Sequence, residues 1–158
     1  MCEYLYGTIK QSNIQAMYTY KYPRPAVTAD CVVFGLTPEG ERRLLLIERR
    51  HDPFKGCWAF PGGFLNMDET LEECALRELK EETGLEPVCD LVELKSFSTV
   101  DRDPRGRTIT VAFMAEVPMA EVRGGDDAAV ARWFPLDSVP PLAFDHDKIL
   151  LEALARIQ

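Results

Sequence analysis

Two periods of apolar and polar positions run through the chain. Ala26 to Leu36 is apolar and rich in β-branched residues, which predicts a strand. Thr37-Pro38-Glu39-Gly40 has proline and glycine where a tight turn favours them, returning the chain into a second strand over Leu44 to Glu48. Leu91 to Val100 and Thr108 to Val117 alternate well enough to be two antiparallel strands. Ala131 to Pro135, through Arg132-Trp133-Phe134, predicts a short strand packed on the core. The helical period appears twice. Leu71, Cys74, Ala75 and Leu79 form one buried stripe; Thr70 and Glu73 have capping-box spacing before it, and Gly84 supplies a left-handed residue after it. Ile149, Leu150, Ala153, Leu154 and Ile157 mark a closing amphipathic helix from Asp145 to Ile157. Trp58, Phe60 and Pro61 lead into Gly62-Gly63 and are expected in the core rather than stacked on a base.

No internal repeat, low-complexity tract or clear linker interrupts this order, so residues 1–158 are expected to form one α/β domain, a mixed sheet flanked by helices. Its length is enough to bury about 70% of the surface that the unfolded chain exposes. Residues 1–25 form a separate amino-terminal segment. Tyr4, Tyr6, Tyr18, Tyr20 and Tyr22 could line an edge strand or a homodimer contact, or pack plainly on the surface.

Net charge changes the picture of partners. At −8 the chain presents no general surface for nucleic acid or membrane, so an anionic substrate must be met by local arginines and metal ions. Five cysteines without a Cys-x-x-Cys pair read as reduced thiols, and no apolar run approaches a membrane span, so a cytoplasmic protein is expected. His51 and His146 are too far apart in sequence to suggest zinc spacing.

The candidate chemistry lies on the first helix. Glu78 and Glu82 are one turn apart with Glu81 beside them, and like charges at this spacing repel by roughly a few tenths of a kcal/mol per pair. A hard divalent cation offsets that repulsion, since Mg²⁺ takes oxygen ligands and keeps several waters and substrate phosphates. Arg77 can orient or partly neutralise Glu81, and glycine at positions 62 and 63 lets a backbone carbonyl approach the ion.

The segment Gly63, Glu69, Arg77, Glu78, Leu79, Glu81, Glu82, Gly84, Leu85 resembles the Nudix box of Nudix hydrolases and fills every fixed position of that pattern. An acidic solvated helix explains far less of it. The resemblance implies an α/β/α sandwich with a central mixed sheet, and Mg²⁺-dependent hydrolysis, with Mn²⁺ as a substitute, of a nucleoside diphosphate linked to another group. It implies Glu78, Glu82, Glu81 and the Gly62 carbonyl as metal ligands, with Arg77 and Glu81 in the catalytic machinery. Asp127, in the loop Gly124-Gly125-Asp126-Asp127, is the candidate for the additional carboxylate that many family members carry, though loop aspartates ordinarily only form turns.

Arg49-Arg50-His51 follows the second strand, where family members often place an arginine on phosphate or base; Arg50 is the candidate. Arg102, Arg105 and Arg107 share one turn, Asp101 to Arg107, and its Asp-Pro-Arg-Gly segment is similar to that of bacterial and archaeal ADP-ribose pyrophosphatases of the family. Hydrolysis of ADP-ribose to AMP and ribose 5-phosphate is therefore the expected activity. The alternatives are a house-cleaning nucleoside triphosphate pyrophosphohydrolase and an ADP-ribose-binding regulator; regulators carry a further winged-helix segment and commonly a degraded box, whereas this box is intact.

Overall fold

The structure is a computed structural model that describes residues 18–86, 90–125 and 128–157. Its centre is β1 (Ala26–Leu36), whose residues are almost all buried. A strand covered on both faces reads as a continuous apolar run, which is why this stretch lacks clean alternation. Gly40 closes the following turn with a φ of 85°, its N–H donating to the Thr37 carbonyl at 2.9 Å. The chain returns as β2 (Arg42–Arg49), antiparallel to the end of β1 with Phe34 opposite Leu44.

Two short strands follow, β3 (Trp58–Ala59) against β2 and β4 (Gly62–Phe64) against the first half of β1. Then come α1 (Leu71–Thr83), β5 (Val92–Phe97), β6 (Thr108–Pro118), β7 (Ala128–Pro135) and α2 (His146–Arg156). The sheet order is β3-β2-β1-β6-β5, with β4 also on β1 and β7 also on β2. β6 lies parallel to β1 along its whole length, while β5 is antiparallel to β6 as the alternation predicts. The sheet is therefore mixed.

Parity along the central strands assigns the two faces. Val32, Phe34, Leu44, Leu46 and Ala112 pack with Ile149 and Ala153 of α2. Cys31, Val33, Leu45 and Ala115 pack with Leu79 of α1, and Ala29 and Phe113 with Cys74 and Ala75. Helices thus cover both faces, an α/β/α sandwich. The expected strand over Leu91 to Val100 shortens to β5, because the chain turns into the arginine loop after Phe97. β7 begins three residues before the expected Ala131, extended by pairing with β2 as far as Arg49. No helix among the described residues is long and apolar enough to cross a membrane.

Candidate active site

The acidic helix begins as its sequence predicts. Thr70 Oγ1 accepts from the Glu73 N–H at 3.2 Å, Glu73 Oε2 accepts from the Thr70 N–H at 2.7 Å, and Gly84 ends the helix at φ 72°. These caps fix which side chains face β4, because each residue of α1 is advanced by a set rotation from a fixed start.

Arg77 gathers the acidic side chains. Its guanidinium donates to Glu69 at 2.7 and 2.9 Å, to Glu78 at 2.7 Å, to Glu81 at 3.1 Å and to the Phe64 carbonyl at 3.1 Å. The hydrogen bonds from Arg77 hold the Glu69 carboxyl down to about 2. Glu78 shifts the other way: burial raises it, and Arg77 offsets only part of that. Glu82 is buried on the same helix and accepts the Gly62 N–H at 2.9 Å. A side chain at residue 63 would collide with the Glu78 carboxylate, and one at residue 62 with the Ala29 carbonyl and Asp30. Close approach of backbone thus requires glycine at 62, while at 63 it leaves room for the Glu78 carboxylate.

These groups open onto a cavity of about 330 Å³. Glu78, Glu82 and Asp30 line it, and so do Arg49, Arg77 and Arg105. Arg49 donates to the Pro53 carbonyl at 2.8 Å and lies over the Phe144 ring at 4.9 Å. Arg105 is held by Asp103 at 2.8 Å and lies 4.8 Å from the centre of the Phe64 ring and 5.4 Å from that of Phe144. Burial works to raise Asp103, but its bonds to Arg105 outweigh that and keep it ionised. At the inner end, His146 accepts the Phe60 N–H at 3.0 Å, and burial lowers its affinity for a second proton despite the nearby Asp30. Among the described residues no three His, Cys, Asp or Glu side chains converge into a preformed metal cage.

The structure brings Gly62, Arg77, Glu78, Glu82, Arg102 and Arg105 to this cavity. Arg102, however, is buried and committed to Asp145 at 2.6 Å, so its guanidinium braces the loop on α2. Glu81 stands on the exposed side of Arg77. Arg50 is not on the cavity wall: it turns to the Ala128 carbonyl at 3.0 Å. Arg107 is likewise elsewhere, exposed and donating to the Thr99 carbonyl at 3.3 Å. Asp127 lies outside the described residues. Arg49 occupies the place expected of Arg50. The strand period could have found it, since Arg49 is two residues beyond Ile47, which lines the same cavity. Asp30, Phe144 and His146 carry no local signal, because only the sheet and the start of α2 bring them together.

The NUDIX domain family matches the chain over residues 24–154. The chain belongs to the Nudix family. This Nudix protein is 46% identical to an ADP-ribose pyrophosphatase of Methanocaldococcus jannaschii over 129 residues, 82% of this chain and 73% of that one. Its fold superposes with a TM-score of 0.81 on the NUDIX domain of Shewanella oneidensis NrtR complexed with ADP ribose, at 32% identity, covering 89% of this chain and 94% of that one. It superposes with a TM-score of 0.74 on a bifunctional NMN adenylyltransferase/ADP ribose pyrophosphatase of Francisella tularensis complexed with AMP and a Mn ion. Identity there is 28%, over 88% of this chain but 44% of the longer one. The Nudix family is typically dependent on a divalent metal.

Proposed function

We propose that this Nudix protein hydrolyses the diphosphate of ADP-ribose to AMP and ribose 5-phosphate, with Mg²⁺ as its cation and Mn²⁺ as a substitute. The observation that carries the reading is that a single cavity is lined both by Glu78 and Glu82 and by Arg49 and Arg105. Such a lining suits a diphosphate, whose oxygens need cations on more than one side. The names of the archaeal and Shewanella relatives support ADP-ribose as the compound that carries it.

The donor set fits the ion. Glu78 is a carboxylate whose burial is only partly offset by Arg77, and Glu82 is buried beside it, so a cation between them relieves both. Two glutamates suit Mg²⁺, which uses one or two carboxylates and otherwise waters and phosphate oxygens. Glu78 and Glu82 would hold it, with Glu81 close by and the Gly62 carbonyl as a further oxygen. When bound, the ion polarises the phosphoryl oxygens, lowers the pKa of its water and shields the leaving phosphate. Arg77 orients the carboxylates, Arg105 and Arg49 grip the diphosphate, and Asp127 is the candidate to take the proton from the attacking water.

A panel of ADP-ribose, other nucleoside diphosphate derivatives and nucleoside triphosphates, assayed with Mg²⁺ and product identification, tests this. AMP and ribose 5-phosphate from ADP-ribose are expected. A preference of about tenfold or more for a triphosphate contradicts the assignment. The similarity to NrtR supports a second reading, a domain that binds ADP-ribose without cleaving it. Tight binding with no turnover at saturating Mg²⁺ would establish that one.

A further inference from the structure

At the inner end of the cavity are two polar side chains to which the proposed hydrolysis gives no task. Asp30, in the middle of β1, is 7% exposed, and His146, the first residue of α2, is 3% exposed; both line the cavity. The Phe60 N–H donates to His146 Nδ1, and a ring nitrogen that accepts carries no hydrogen, so the imidazole hydrogen is on Nε2. The ring stacks on Phe60 at 5.2 Å and 15°, which fixes its plane. Asp30 is fixed as well, because its Oδ2 takes the Thr110 hydroxyl at 2.5 Å. What remains is a donor, Nε2–H, and an acceptor, Asp30 Oδ1, 3.7 Å apart.

That spacing is too long for a hydrogen bond between them, yet it lets one oxygen bond to both at roughly 2.8 Å each. A hydroxyl accepts and donates through one atom. An ionised phosphate oxygen only accepts, and Asp30 repels it. The position narrows the ligand group further. Asp30 is the strand partner of Gly62, whose N–H goes to Glu82, so the pair adjoins the carboxylates assigned to the cation. The part of the ligand within reach is a sugar attached directly to the diphosphate, not the base beyond it.

We propose that Asp30 and His146 together grip one sugar hydroxyl next to the diphosphate of the ligand, with Asp30 as acceptor and His146 as donor. This rests on the ADP-ribose reading. The pair then selects for a sugar bearing that hydroxyl, and Thr110 and Phe60 hold the two side chains in the geometry that does so.

The test is a calorimetric binding cycle in Mg²⁺ with methylene-bridged ADP-ribose, which resists hydrolysis, and with its analogues lacking one ribose hydroxyl at a time on either sugar. Asp30→Ala removes the acceptor. His146→Asn keeps an oxygen for the Phe60 N–H, while its shorter amide does not bring a donor to the place of Nε2. Wild type should lose about tenfold to a hundredfold in affinity when one particular hydroxyl is removed. Each variant should lose a similar factor with the parent ligand and little more with that analogue, a coupling that general damage to the fold does not produce. Losses that multiply for every analogue, or a wild type indifferent to every hydroxyl, overturn the grip and leave a bridging water as the occupant. The wild-type series stands even if a variant does not fold. Turnover of ADP-ribose by wild type is read separately: binding with coupling but no turnover removes the hydrolase reading alone, and no binding of the parent ligand removes both.

Discussion

Arg77 makes the acidic face of α1 possible. By bonding Glu69, Glu78 and Glu81 at once, it spreads one positive charge over three carboxylates that would otherwise repel. Its hold on Glu69 has a consequence for pH. A carboxylate depressed from 4.5 to about 2 contributes stability above its unfolded pKa and loses it as pH falls through the folded one. Glu69→Gln is therefore expected to be less stable than wild type at neutral pH, with the gap closing between about pH 4.5 and pH 2; chemical denaturation along that range checks it. The arginines give a second expectation. Arg49→Ala and Arg105→Ala should raise KM for ADP-ribose about tenfold or more, as for a lost hydrogen bond to a charged group, while Arg50→Ala and Arg107→Ala change it little. Equal effects from all four would contradict the cavity as the diphosphate site. The acidic cluster of Glu78, Glu81 and Glu82 was legible from helical spacing, whereas Glu69 was legible only from the resemblance to the box. The arginines were only half legible, because which of two neighbours faces inward depends on strand parity, and Arg102 is drawn away by a partner on α2, Asp145.

Among the elements, α1 and β1 have the ends their sequences announce. Local chemistry settles them: a capping box and a left-handed glycine for the helix, prolines and a turn for the strand. Thr70→Ala removes one side of the capping box and is expected to cost about 1 kcal/mol in urea unfolding, with turnover nearly unchanged because Glu78 and Glu82 keep their places. A comparable fall in turnover would mean that the start of the helix positions the carboxylates more strictly than its packing does. β3 and β4 were not legible, since two or three residues hold no period, and β4 exists because glycine lets the backbone lie against Asp30 and Glu78. The parallel pairing of β1 with β6 was also hidden: its two strands are far apart in the chain, and the pairing follows from how both faces of the sheet are covered.

For the whole molecule, a net charge of −8 means that no general attraction brings a diphosphate to the cavity, so both binding and turnover should need the divalent ion. Exposed Tyr18, Tyr20 and Tyr22 suit an interface between two copies, while Tyr4 and Tyr6 of the same segment lie outside the described residues. A homodimer at micromolar concentration is expected by light scattering. A monomer whose mass and stability are unaffected by deleting residues 1–21 would contradict it.

Glu78 and Glu82 of α1 are proposed to bind the ion on which ADP-ribose cleavage depends. The most direct measurement is turnover against Mg²⁺ concentration for wild type, Glu82→Gln and Glu72→Gln, with circular dichroism as the folding control. Glutamine at 82 can still accept the Gly62 N–H, so the helix should stay docked on β4. Glu72 is exposed in the first turn and lines no part of the cavity. Folded Glu82→Gln is predicted to lose orders of magnitude in turnover, since the charge stabilisation supplied by a bound ion is worth several kcal/mol, while Glu72→Gln stays near wild type. Near wild-type turnover in folded Glu82→Gln, without a higher Mg²⁺ requirement, would mean that Glu82 does not hold the ion.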